Sequence, residues 1–113
     1  GDEPLYVDFK NIVVPVIKRN GETGVIALSL MAQVKDQEDQ SKVMGQLPRL
    51  RDAFIRVLYG NLEGTQMVKE DGALDIPEIR ERLLKTANLV LHEEKDNELI
   101  KDLLFQNIAQ QSY

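Results

Sequence analysis

Apolar and polar positions alternate along the first third of the chain and then recur at helical spacing, and this change of period divides the sequence into elements. Leu5, Val7 and Phe9 alternate and Ile12-Val13-Val14 follow, in a stretch from Leu5 to Val16 rich in β-branched and aromatic residues, which predicts a first strand. Pro15 has no N–H to give a ladder, so that end of the strand is an edge or a bulge. Arg19-Asn20-Gly21-Glu22-Thr23-Gly24 carries an Asn-Gly pair suited to the positive φ of a tight turn. Ile26, Leu28, Leu30, Ala32 and Val34 then alternate with smaller or polar residues. The two strands are expected to form a hairpin with one buried face.

After Val34 the apolar positions Val43, Leu47, Leu50, Phe54 and Val57 recur at steps of four and three, which predicts an amphipathic helix from about residue 37 to Tyr59. Asp36 is its expected cap, with Asp39 near the positive helix end, while Gly45 and Pro48 weaken or kink its middle. Gly60 to Gly72 is read as a loop. Asp75 is expected to cap a second helix, with Glu78 in the capping-box position and Ile76, Ile79, Leu83, Ala87 and Val90 along one face, ending near His92. Glu78 with Arg82 and Glu81 with Lys85 are spaced for i, i+4 ion pairs on the opposite, solvated side. Leu99 to Ala109, with Leu103-Leu104-Phe105 and Ile108, reads as a third strand. The order β-β-α-α-β predicts an α+β fold: a small sheet of about three strands with two helices on one face.

At 113 residues the chain is expected to form one domain with one core. Nineteen acidic against fourteen basic residues give a net charge of −5, and the Lys and Arg are scattered, so nucleic acid is not the expected partner. There is no cysteine, which excludes a disulfide framework and a thiolate zinc site. No run reaches the ~18–20 apolar residues of a membrane span.

Candidate chemistry is sparse, and the expectation is a protein that is not an enzyme and holds no cofactor or metal. His92, the one histidine, falls on the polar side of the second helix with Glu81, Lys85 and Asn88. Ser29, Ser41 and Ser112 lack the surroundings of a nucleophile. The glycines around Gly60 and Gly64 lack the Gly-Lys-Ser/Thr ending of a phosphate loop, and Asp71-Gly72 lacks the repeated ligands of a calcium loop, so both are turns. Glu93, Glu94, Asp96 and Glu98 read as a solvated linker.

The first helix carries the more informative feature. With its main apolar face turned inward, Met44 and Ile55 project roughly 100–120° away and Tyr59 further round, so the apolar arc is wider than one packing face needs. Two readings stand: the second helix or the long loop covers these side chains, or they meet a partner. Partner-facing surfaces favour Met, aromatics and Arg, which makes Met44, Arg51, Ile55 and Tyr59 the candidate partner-binding residues. Arg49, Asp52 and Arg56 form a charged stripe on the other flank, read as solvated.

Taken in order, Tyr6-Val7-Asp8-Phe9, Ile12-Val13-Val14-Pro15, Leu47-Pro48-Arg49-Leu50-Arg51-Asp52-Ala53-Phe54, the amphipathic Arg80–Val90 segment and Ile100-Lys101-Asp102-Leu103-Leu104-Phe105-Gln106-Asn107-Ile108 resemble the periplasmic domain of the flagellar basal body-associated FliL family. The resemblance spans nearly the whole chain. It implies a non-enzymatic module of the bacterial flagellar motor, similar in fold to the stomatin/prohibitin-like (SPFH) domain. It further implies a protein of the bacterial inner membrane with a single span, expected upstream of residue 1, and this domain in the periplasm. Such a protein would form a homo-oligomeric ring around the stator units and support them, with the stator proteins MotA and MotB and the basal-body ring as partners. A small-molecule or lipid-binding sensor domain, using a groove beside the sheet, is the alternative.

Overall fold

The computed structural model describes residues 3–17, 20–59, 65–92 and 98–112. Strand β1 (Leu5–Ile17) pairs antiparallel with β2 (Thr23–Val34), which pairs antiparallel with β3 (Asp102–Ser112), so β2 is central and the other two are edges. Between β2 and β3 the chain forms three helices, α1 (Gln37–Gly45), α2 (Leu47–Leu58) and α3 (Ile76–Val90). The protein is therefore α+β as expected, with one helix more than the sequence pattern predicts.

The turn between β1 and β2 uses the Asn-Gly pair: Asn20 Oδ1 accepts from the Glu22 N–H at 2.9 Å and Gly21 has φ 86°. Arg19, the first residue of the expected turn, lies outside the described residues. A bulge then sets which side chains of β1 face the core. Asp8 pairs with Met31 and Asn11 with Ser29, so Phe9 and Lys10 together oppose Leu30 alone. Lys10 takes the left-handed conformation, φ 62°, held by its N–H donating to Asp8 Oδ1 at 2.8 Å. The extra residue moves the inward set from odd to even positions, so Val7 and Phe9 before it and Ile12, Val14 and Val16 after it are all buried. A second irregularity lies at the same level on the other side of β2: Ser29 pairs with Asn107 and Leu30 with Phe105, leaving Gln106 as the extra residue of β3.

Asp36 caps α1 as expected, its Oδ1 accepting from the Asp39 N–H at 2.9 Å. The expected continuous helix to Tyr59 is corrected to two helices meeting at Gln46, whose φ of −107° and ψ of 8° leave the helical region. Pro48 supplies the reason. Without an N–H it cannot continue α1, but in the first turn of α2 no donor is needed. In α2 the buried residues are Leu50, Phe54 and Leu58, while the expected core residue Val57 is only half-buried.

Of the expected loop, Gly60 to Gly64 lie outside the described residues; its later part runs into a small bridge, Val68 to Leu74, with the Lys69 N–H donating to the Ala73 carbonyl at 2.8 Å and Gly72 at φ 88°. Met67, just before it, is buried in the core. Asp75 Oδ1 accepts from the Glu78 N–H at 3.1 Å to cap α3. The reciprocal half of the capping box is replaced: the Asp75 N–H donates to the Met67 carbonyl, and the Glu78 side chain pairs with Arg82 at 3.0 Å. Ile79, Leu83 and Ala87 line the buried face.

Asn88 departs from its expected place on the polar side. It is buried and bonds the main chain of Ile100 in both directions, Nδ2 donating to the carbonyl at 3.2 Å and Oδ1 accepting from the N–H at 3.3 Å. A buried carboxamide is tolerated because both of its ends are satisfied. It fastens α3 to the buried pair Leu99 and Ile100, which precede β3 instead of opening it.

Candidate interaction surfaces

The helices cover one face of the sheet and leave the other open, so inward residues of β2 are buried and outward ones half-buried. On the helical side, Met44 and Tyr59 stand free at 58% and 64% exposure. Ile55 is half-buried and packs against the core. Arg51 is occupied: its guanidinium donates to the Phe9 carbonyl and, at 3.0 Å, to the Asn11 carbonyl. Both carbonyls flank Lys10, at the bulge in β1. Of the four candidate partner-binding residues, then, Met44 and Tyr59 are free side chains, while Arg51 and Ile55 sit one turn apart on α2 and are engaged within the domain.

The open sheet face was not singled out from the sequence. Its side chains follow from the register: Val13, Ala27 and Ala109 stand in one row and Met31 beside Leu104 in another. Val13 and Ile17 are 58% and 49% exposed. The signal was present in β2, where Val25, Ala27 and Met31 make the outward parity apolar as well. Alternation of large with small residues hid it.

One groove of about 400 Å³ lies between α1 and the end of α3, with Lys42, Arg49 and His92 at its rim and Val90, Leu91 and Leu99 among its lining residues. Lys42 is paired with Glu38 at 3.5 Å and Arg49 bonds Gln46 Oε1 at 2.9 Å. His92 is exposed, as expected, and holds φ 56° just past the end of α3, where a left-handed residue commonly terminates a helix. Ser29 lies mid-sheet between Asn11 and Asn107, and Ser41 is exposed on α1. Glu93, Glu94 and Asp96 lie outside the described residues. Among the described residues, no group of three or more His, Cys, Asp or Glu side chains is placed to hold a metal ion, and no helix is long and apolar enough to cross a membrane.

Together these features define a class: an α+β domain with a one-sided three-stranded sheet, stiffened where α2 grips a bulged edge strand. The family model described as Flagellar basal body-associated protein FliL matches residues 6–111, nearly the whole chain, and the protein belongs to this family. Membership makes it a protein associated with the flagellar basal body. Comparison with curated proteins finds no match.

Proposed function

We propose that this domain is a non-enzymatic structural module of the flagellar motor that assembles around the stator units and supports them. In this reading MotA, MotB and the basal-body ring are its neighbours. The domain lies in the periplasm, carried on a single-pass anchor in the inner membrane, forms a homo-oligomeric ring, and shares the stomatin/prohibitin-like fold. Family membership across residues 6–111 is the observation that carries the proposal. The free apolar side chains of Met44 and Tyr59 support it, since an exposed Met and Tyr fit a protein partner better than solvent. A sensor domain would call for an enclosed apolar pocket with convergent polar groups, and the open, partly cationic groove beside α1 fits that alternative less well.

The test is made in motile cells carrying the full-length protein. Met44→Asp with Tyr59→Asp should reduce swimming and cross-linking to MotB, while the melting temperature of the domain moves little. Unchanged swimming and cross-linking in a cell whose deletion strain swims poorly would remove this surface from the proposal. A deletion strain with normal motility would remove the proposal itself.

A further inference from the structure

We propose that the free edge of β3 takes an extended segment of another protein as a fourth strand, and that Arg80 of α3 selects a segment with an acidic side chain opposite Phe105. This goes beyond the proposed motor role and does not depend on it. The starting point is that the two edges of the sheet are treated differently. The β1 edge is guarded along its length: Gln40 Nε2 donates to the Tyr6 carbonyl at 2.9 Å, Arg51 takes the Phe9 and Asn11 carbonyls, Lys10 bulges, and Pro15 offers no N–H. On β3, among the described residues, the Leu103 N–H is held locally by Asp102, and beyond it no group outside β2 bonds the main chain. From Leu103 to Ser112 there is no charged residue, no Pro and no Gly to turn a strand away.

The side chains beside that edge point to the occupant. Leu103, Phe105 and Ile108 share the helical face with their partners Ala32, Leu30 and Leu28, and Phe105 and Ile108 are only half-buried. The Arg80 guanidinium lies over the Phe105 ring, 5.7 Å from its centre. Its Nε is buried without a hydrogen-bond acceptor, and none of the ion pairs among the described residues includes Arg80. A half-buried guanidinium in that state lacks the planar acceptor that matches it best, a carboxylate.

A fourth strand brings that group. Side chains directly opposite across paired strands have Cβ atoms about 4.5–5.5 Å apart, so an Asp or Glu opposite Phe105 stands beside the Arg80 guanidinium. The irregularity at Gln106 divides the edge into 103–105 and 107–111, and a segment of about seven residues centred opposite Phe105 draws on both parts. Its next side chains on the helical face meet Leu103 and Ile108 and should be apolar, while on the open face Leu104, Asn107 and Ala109 present no charge. Main-chain bonds give such a contact its affinity and the alternate side chains its specificity. The acid is the discriminating feature. A chain of net charge −5 favours cationic peptides in general, so a preference for an acidic one has to come from a local cation.

Synthetic peptides of about seven residues, alternating Thr and Val around a central Glu or a central Lys, are the probes, with Val on the same face as the central residue. They are titrated into this chain and followed by amide hydrogen exchange in β3. The Glu peptide should slow exchange between 103 and 111 and bind at least about tenfold more tightly than the Lys peptide. Arg80→Met keeps an apolar stem over Phe105 and should remove that preference while both peptides still protect β3. Arg80→Lys keeps the charge and should retain the direction of the preference. If the Glu peptide leaves exchange in β3 unchanged, if the Lys peptide binds as tightly, or if the preference survives in Arg80→Met, the proposal is overturned. Protection of β3 without peptide that grows with protein concentration would assign the edge to a second copy and overturn it as well.

Discussion

The rings of Phe9 and Phe54 stack with centroids 5.1 Å apart and planes 11° from parallel. Phe9 is the last inward residue before the bulge in β1, and its carbonyl receives the Arg51 guanidinium from the same helix that carries Phe54. Ring and guanidinium, one turn apart on α2, thus hold the strand where its ladder is interrupted. Apolar burial supplies most of the energy of this joint and the hydrogen bonds fix its register.

Phe54→Ala should cost about 3–5 kcal/mol and Leu83→Ala about 2–5 kcal/mol, since both side chains are fully buried and each truncation leaves a cavity. Domains of this size have about 5–15 kcal/mol in total, so either variant stands near the limit of folding. Urea melts give the values. Melts unmoved by both changes would contradict the burial described for them.

Arg51→Met keeps the aliphatic stem and removes the donors to Phe9 and Asn11, with an expected loss of about 1–3 kcal/mol. Arg51→Lys should recover only part of it, because one ammonium does not match two carbonyls as a planar guanidinium does. Amide hydrogen exchange in β1 is the specific readout: it should quicken around residues 9–11 in both variants.

Asn88→Ala strips both the N–H and the carbonyl of Ile100 of a buried partner, for an expected cost of about 2–4 kcal/mol. In Asn88→Asp the carboxylate still accepts from the N–H but has nothing to donate to the carbonyl, so it too should destabilise. A thermal melt in which Asn88→Ala behaves like a surface substitution would show that α3 and the start of β3 are fastened by other contacts.

Two substitutions should raise the melting temperature. An added Cβ at Gly45 meets nothing within 4 Å and the residue lies in α1, so Gly45→Ala should add about 0.4–1 kcal/mol by restricting the unfolded chain. His92 holds φ 56° at the end of α3, a conformation that costs a side chain free energy, so His92→Gly should stabilise by up to about 1 kcal/mol. A fall in melting temperature for His92→Gly would mean that the imidazole makes a contact outweighing its backbone strain.

Ile55→Asp and Tyr59→Asp separate the two halves of the helical-side surface. Ile55 packs against the core, so a charge there should lower the melting temperature clearly. Tyr59 is 64% exposed, and its replacement should stay within about 0.5 kcal/mol of the parent. Equal melting temperatures for the two would place Ile55 at the surface, beside Tyr59.

Much of the architecture was legible along the chain because it depends on neighbours in sequence. The alternation of Ile26 to Val34, the Asn20-Gly21 turn, the caps at Asp36 and Asp75 and the face of Ile79, Leu83 and Ala87 each follow from local periodicity or from one side chain reaching a main-chain N–H two or three residues on. The weakness of the long helix at Gly45 and Pro48 was also visible, though not that it divides into two helices there. Among the candidate partner residues, the sequence singled out Met44 and Tyr59, which stand exposed, by the width of an apolar arc.

What only the tertiary structure decided were relationships between residues far apart in the chain. Whether Arg51 faces a partner or the domain's own sheet depends on carbonyls forty or more positions earlier, which flank the left-handed Lys10. Whether Asn88 faces water or the core depends on Ile100 supplying both a donor and an acceptor, and no helical period encodes that. The open sheet face and the unequal edges follow from strand order and from the side on which the helices land. Those are set by three-dimensional packing and main-chain pairing, and a pattern of apolar and polar positions leaves them undetermined.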